Sequence, residues 1–422
     1  MKKTNLKRIT ILVALTCLTL GLTSCGGEKA TPAKDFVTLE INGEAIISSY
    51  KGKATDIIIP SKIKGKPVTT ISDGAFNEMK QITSVKLPQG IKKLGKSAFN
   101  GCVQLVSVTL SEGIPEIGEN TFRDCEKLES IIIPSTVKSI GKNAFKNCSA
   151  LKEIIIPEGV ESIGETAFID CSSLSKVSLP ATITSVGLKA FFNTSDLDLI
   201  MPASAGFCLS RMNKNLNVKV FGSYTTEQIA EFGNAMKAMT NGLLVSLDIS
   251  DATGSGVIGT KSFYSNTHLT KVILPKDITK IEERAFSRSD FLKEVILPEG
   301  LLEIEEDAFL NCEALTSIII PDSVLKLGKT VFNGCDSVSN ITIGSGLNKI
   351  PEGAFCGCNN LSIITIPANI KDIERNAFEC EKLKTVNYRG PKDQLHYIKN
   401  SKYGWDDSFP EYTIISFDYS GE

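Results

Sequence analysis

Ile140-Gly141-Lys142-Asn143-Ala144-Phe145-Lys146-Asn147-Cys148-Ser149-Ala150-Leu151-Lys152-Glu153-Ile154-Ile155-Ile156-Pro157 holds, in eighteen residues, nearly everything this chain repeats. Its phenylalanine belongs to two registers of 23 residues, Phe76, Phe99, Phe122, Phe145, Phe168 and Phe191, then Phe263, Phe286, Phe309, Phe332, Phe355 and Phe378. A period this strict implies stacked units, each burying its apolar edge against its neighbours, and not one globular core. An aliphatic residue stands five places before each Phe, small Ala usually precedes it, and Leu commonly follows six places later, as at Ile140, Ala144 and Leu151 around Phe145. The stretch Glu153 to Ile156 is rich in β-branched residues and ends at Pro157, which has no N–H to continue a ladder, so it reads as a short strand. The expected fold is therefore a repeat solenoid, β-rich, with 23-residue coils carrying one short strand each.

The pattern Ile-Gly-x-x-Ala-Phe-x-x-Cys-x-x-Leu-x-x-Ile-x-Ile-Pro, nearly intact from Ile140 to Pro157, resembles the BspA-like leucine-rich repeat of bacterial surface proteins over most of residues 57–387. That resemblance implies an exported, nonenzymatic binding protein, with some members acting as adhesins for matrix proteins. The N-terminus agrees with export. Lys2, Lys3, Lys7 and Arg8 precede an apolar run from Ile9 to Leu20, and Leu22-Thr23-Ser24-Cys25 resembles a lipobox with Cys25 as the lipidated residue. Residues 1–24 are then a leader and residues 25–35 a tether containing Gly26 and Gly27. An ordinary secretory leader with an incidental cysteine is the alternative.

Outside the repeats, Val37, Leu39 and Ile41 alternate before Asn42-Gly43, so residues 36–56 should form a capping hairpin for the exposed edge of the first coil. The first array is expected at 57–202 and the second at 257–387. Between them the motif fades, and 203–256 is expected to be an irregular insert. One helix is expected there at about 226–240, from the apolar spacing of Ile229, Phe232, Met236 and Met239 behind a Thr225-x-x-Gln228 capping box. Residues 388–422, with Trp405, would form the C-terminal cap.

Chemistry is sparse. Cys102, Cys125, Cys148, Cys171, Cys312, Cys335 and Cys358 stand three residues after a repeat Phe, where other coils carry Met79, Thr194, Asn266 or Ser289. A position accepting such replacements needs a compact side chain able to bond a turn, which favours buried thiols over disulfides. Cys356 and Cys380 lack a nearby His, so no metal is expected, and a one-residue deletion after Phe378 places Cys380 in the thiol column. The acidic pairs Glu282-Glu283 and Glu305-Glu306 read as a solvated edge or a weak cation site. With two histidines, His268 and His396, and no nucleophile or phosphate-binding motif, neither enzyme activity nor a cofactor is expected. The chain after residue 24 carries 42 basic and 48 acidic side chains, a net of −6, which offers nucleic acid no electrostatic footprint.

In each strand the residues nine and eleven after Phe should point inward and the tenth outward. Ile132, Ile155, Ile273, Ile296 and Ile319 then form outward apolar ridges, the candidate protein-binding surface, or else serve only sheet propensity and cross-strand packing or lie beneath the cap or the inserted helix. The expectation is a monomeric outer-membrane lipoprotein, exposed at the cell surface, whose partner is a host or neighbouring-cell protein. The alternative is a structural or glycan-capture component of an outer-membrane assembly.

Overall fold

The computed structural model describes residues 29–239, 242–390 and, as backbone, 414–417. Successive coils stack in parallel, so that Glu153, Ile154 and Ile155 pair with Lys176, Val177 and Ser178 of the next coil. From Lys93 to Val186 and again from Val257 to Ile373 the coils carry a second, two-residue strand at the aliphatic position, and Ile117, Ile140, Ile163 and Val186 form one such ladder. The Ala-Phe segment is a run of turns with no helix. Its amides take partners alternately. Asn143, Phe145 and Asn147 donate across to Glu165, Ala167 and Ile169 of the next coil, while Ala144, Lys146 and Cys148 bond three residues back within their own. That alternation requires left-handed backbone on either side of the ring, at Asn143 (φ 55) and Asn147 (φ 60). Asn and Asp adopt this conformation at the least cost after glycine, and they recur at these positions as Asn120, Asp124, Asp170 and Asn193.

Inside, the phenylalanines form two columns of nearly parallel rings. Neighbouring centroids are 5.1 Å apart for Phe145 and Phe168 and 5.0 Å apart for Phe286 and Phe309. Aliphatic columns run beside them, and together they make one continuous apolar core. The N-terminal hairpin, Phe36–Ile41 against Glu44–Tyr50, lies at the end of this core. Tyr50 extends the first phenylalanine column, 5.8 Å from Phe76, and Phe36 lies 5.2 Å beyond Tyr50. The cap thus works by continuing the core two rings further before the chain meets solvent.

The middle of the chain differs from its sequence expectation. Residues 203–256 are not an irregular break between arrays. Leu197–Pro202, Leu216–Tyr224 and Val245–Gly254 are long parallel strands at the centre of a seven-stranded sheet that joins both arrays. Two helical segments replace the Ala-Phe turns, a 3-10 helix Ala203–Arg211 and an α-helix, α1, Thr226–Lys237. The Thr225–Gln228 capping box forms as the sequence implies, and α1 stops three residues short of the expected end. Its apolar residues Ile229, Phe232 and Met236 are buried in the solenoid. Gly233 lets α1 seat against the next coil, because a side chain there would collide with the Ser262 carbonyl oxygen.

At the far end the last repeat strand is Thr385–Tyr388, one residue past the expected array, and Ile414–Phe417 pairs with it in parallel. Cys25, His396 and Trp405 lie outside the described residues.

Candidate interaction surface

The strand face follows the inward-outward alternation. Ile154 and Ile156 are buried, whereas Ile155 between them is 40 % exposed. Ile132 is 68 %, Ile296 41 % and Ile319 62 % exposed, and Ile273 is half-buried. None of them is covered by α1 or by the hairpin. Continuity of the central sheet then alters the arrangement. Ile155 pairs in register with Ser178, Ser178 with Ile200, Ile200 with Lys219, Lys219 with Asp248, Asp248 with Ile273 and Ile273 with Ile296. What the sequence presents as two ridges is one row about 29 Å long at the usual strand spacing. Ile132 and Ile319 continue it at either end, although residues 130–133 form no strand and the ladder is interrupted between Glu294–Ile296 and Ser317–Ile319.

At the centre of the row the apolar character gives way to charge. The Lys219 ammonium lies 2.8 Å from Asp251 and 3.9 Å from Asp248. The hydrogen bond to Asp251 raises the lysine pKa. An exposed pair of this kind contributes little to stability, but it sets a polar register mark between two apolar stretches. Ile200, Lys219 and Asp248 escape a search at the repeat spacing, since the coil from Leu199 to Val218 is shorter than the repeat and the one from Val218 to Leu247 is longer. Their alternation, as in Leu216-x-Val218-x-Val220, is the signal that marks them as strand.

The thiol column is structural. Cys102, Cys125, Cys148 and Cys171 each donate to the carbonyl of the phenylalanine one coil back, Phe76, Phe99, Phe122 and Phe145, at 3.1–3.2 Å. Ser289 does the same to Phe263 at 2.8 Å, and Cys380 to Phe355 at 3.1 Å. All the cysteines among the described residues are free, and burial pushes the Cys125, Cys148 and Cys312 thiols far up, away from the nucleophilic thiolate. Among the described residues no group of His, Cys, Asp and Glu is arranged to hold a metal.

The acidic pairs are also committed. Glu282 accepts from the Thr260 amide at 2.9 Å, and Glu305 accepts from the Glu283 amide at 3.0 Å and from Lys280. These carboxylates stitch one coil to the next. His268 is buried, with Nδ1 2.8 Å from the Leu243 carbonyl.

A β-solenoid of stacked coils with an open strand face is the architecture of a repeat protein. The BspA type leucine rich repeat region matches residues 69–198 and 256–384, in six copies, and the chain belongs to that family. Its members are typically cell-surface proteins that mediate protein interaction, and such scaffolds are typically nonenzymatic. Among solved structures, a leucine-rich repeat protein from Bacteroides ovatus is 25% identical, with 93% of this chain and 100% of that one covered and a TM-score of 0.37. A leucine rich cell surface protein from Faecalibacterium prausnitzii is 22% identical, with 89% and 98% covered and a TM-score of 0.33. The pneumococcal vaccine antigen PcpA is 21% identical, with 91% and 96% covered and a TM-score of 0.34. No curated protein matches. No helix among the described residues is long and apolar enough to cross a membrane.

Proposed function

We propose that this protein is held at the outer membrane by a lipid on Cys25 and uses the strand face of its solenoid to bind another protein, as an adhesin-like module facing the cell exterior. The observation that carries this reading is the single outward row from Ile132 to Ile319, in which isoleucines stand on both sides of the Lys219–Asp248 pair, interrupted on one side by Ser178, with Ile132, Ile155, Ile296 and Ile319 exposed. Apolar side chains flanking a polar mark suit a protein partner, with burial supplying affinity and the ion pair selecting register. A glycan partner would call for a row of exposed aromatic rings, and the row holds none. Pull-down from host-matrix or neighbouring-cell extracts tests the reading. Ile296→Lys and Ile319→Lys should abolish capture of any specific partner while the melt stays nearly unchanged, and capture equal to wild type would leave the row as sheet packing only. For the anchor, radiolabelled fatty acid should appear on the wild-type chain and vanish with Cys25→Ser, which should also release the protein from the envelope.

A further inference from the structure

The N-terminal end of the solenoid differs chemically from the rest. Residues 29–66 carry seven lysines against four carboxylates, a net of +3, whereas residues 67–422 carry 35 basic and 43 acidic side chains, a net of −8. Lys34, Lys51, Lys53, Lys62 and Lys64 are exposed, while Lys66 is engaged by Glu40 at 2.9 Å. The same end exposes two neighbouring apolar side chains on the outermost strand, Leu39 at 55 % and Ile41 at 51 %, beside the hairpin tip Asn42-Gly43. A cap that served only to close the core would present a polar outer strand, since an apolar edge invites aggregation.

The chain path says what lies near this end. Thr31 is fastened to the first strand of the main face: its amide donates to the Ile58 carbonyl at 2.9 Å, and its hydroxyl accepts from the Ile58 amide at 2.9 Å. Asp35 is held likewise, its carbonyl accepting from the Lys51 amide at 2.7 Å. Only five residues separate Thr31 from Cys25, six steps of chain that at full extension reach about 20 Å. On the reading that Cys25 carries the lipid, the basic cap therefore stands within one short tether of the headgroups.

We infer that the N-terminal cap is a bilayer-docking surface, in which Leu39 and Ile41 enter the headgroup region of an anionic membrane and the exposed lysines of the same cap meet lipid phosphates. Anionic headgroups attract clustered lysines, and two aliphatic side chains add apolar burial that a polar edge could not supply. Docking at this end would stand the solenoid on the membrane with its strand face free.

The test separates docking from lipidation by using the chain from residue 25 to 422 with Cys25→Ser. It is co-floated with vesicles of phosphatidylcholine alone and with vesicles of phosphatidylcholine and phosphatidylglycerol mixed two to one. At least threefold more protein should float with the anionic vesicles, the excess should disappear in high salt, and Leu39→Glu/Ile41→Glu and Lys51→Glu/Lys53→Glu should each remove it without lowering the melting temperature. Flotation equal on both vesicle types, or unchanged in both double variants, overturns the inference, whatever the fatty-acid label on wild-type Cys25 shows. A concentration-dependent dimer that Leu39→Glu/Ile41→Glu dissociates, with no anionic flotation, would also overturn it and assign the hairpin to a second copy.

Discussion

The strict repeats and the enlarged coils in the middle solve the same packing problem by opposite means. In the strict coils the main strands are short, from Glu294–Ile296 at the lower end to Leu269–Ile273 at the upper, and the ladder lapses beside Ser130–Ile133 and between Glu294–Ile296 and Ser317–Ile319. What persists there is the interior, with its stacked rings, its left-handed turns and, in most coils, a thiol bonded to the carbonyl of the phenylalanine one coil back. From Leu197 to Gly254 the reverse holds. No ring bridges Phe191 and Phe263, yet the strands lengthen, Val245–Gly254 most of all, and the sheet is unbroken. At the junction, Asn266 donates to the carbonyl of Gly233 in α1, which takes the place a phenylalanine carbonyl holds elsewhere. Side-chain columns and backbone ladders are thus interchangeable sources of coil-to-coil adhesion, and the chain relaxes one where the other is strong.

The largest effect should come from emptying the interior of either region. Phe145→Ala and Phe232→Ala should each cost about 3–5 kcal/mol in denaturant unfolding. If only Phe145→Ala were severe, the long ladders would be holding the middle without α1. Gly233→Ala should cost about 1–3 kcal/mol through the clash with Ser262, a penalty of the same kind as that expected at Gly141 and Gly328 of the strict coils, where an added Cβ would meet the backbone of the preceding coil. A neutral Gly233→Ala would mean that α1 rides loosely on the sheet.

A pH titration isolates the thiol column. Burial raises Cys102, Cys335 and Cys380 to about 12. Because their native pKa values lie above the unfolded value of about 8.5, the stability they contribute is whole below that pH and is lost as pH rises toward 12. The melting temperature should fall through this window, and a Cys102→Ser/Cys335→Ser/Cys380→Ser variant should fall less. At pH 8 a maleimide should find only Cys356 among the cysteines of the described residues, the rest reacting after unfolding. Smaller again, Cys148→Ser should cost less than about 1 kcal/mol, since Ser289 already makes the same bond in its own coil. A loss near that of Phe145→Ala would show that sulfur does more than fill and donate. The smallest effect on stability belongs to Ile319→Lys, within about 0.5 kcal/mol, because its side chain stands outside both columns and ladders.

The interior was legible from residue spacing because its columns depend on side-chain identity at a fixed period. Phe, Cys and Ile stand where the repeat puts them, and even Cys380 reaches its column despite the missing residue. The capping box at Thr225 was equally readable, being local. Residues 203–256 were misread because length is what varies there. Strand pairing constrains the alternation and not the distance between strands, so one shortened coil and one lengthened coil join the same sheet while erasing the periodic signal. The outward row suffered from the same cause, with Ile200, Lys219 and Asp248 hidden between ridges that are one.

The cross-coil bonding of the Ala-Phe turns bears on how this chain can change over generations. Phe122 donates to Ala144 and accepts from Cys148, as Phe145 donates to Ala167 and accepts from Cys171. Excising residues 142–164 would bring Ala167 and Cys171 to Phe122 with each of these main-chain and thiol bonds replaced by its equal, and circular dichroism and melting should show a shorter array of the same kind. Excision of half a coil would leave amides and carbonyls facing nothing. Within the strict arrays such a gene lengthens or shortens by whole turns, each altering the reach of the array by about 4.8 Å, so that the length of each array is inherited as an integer.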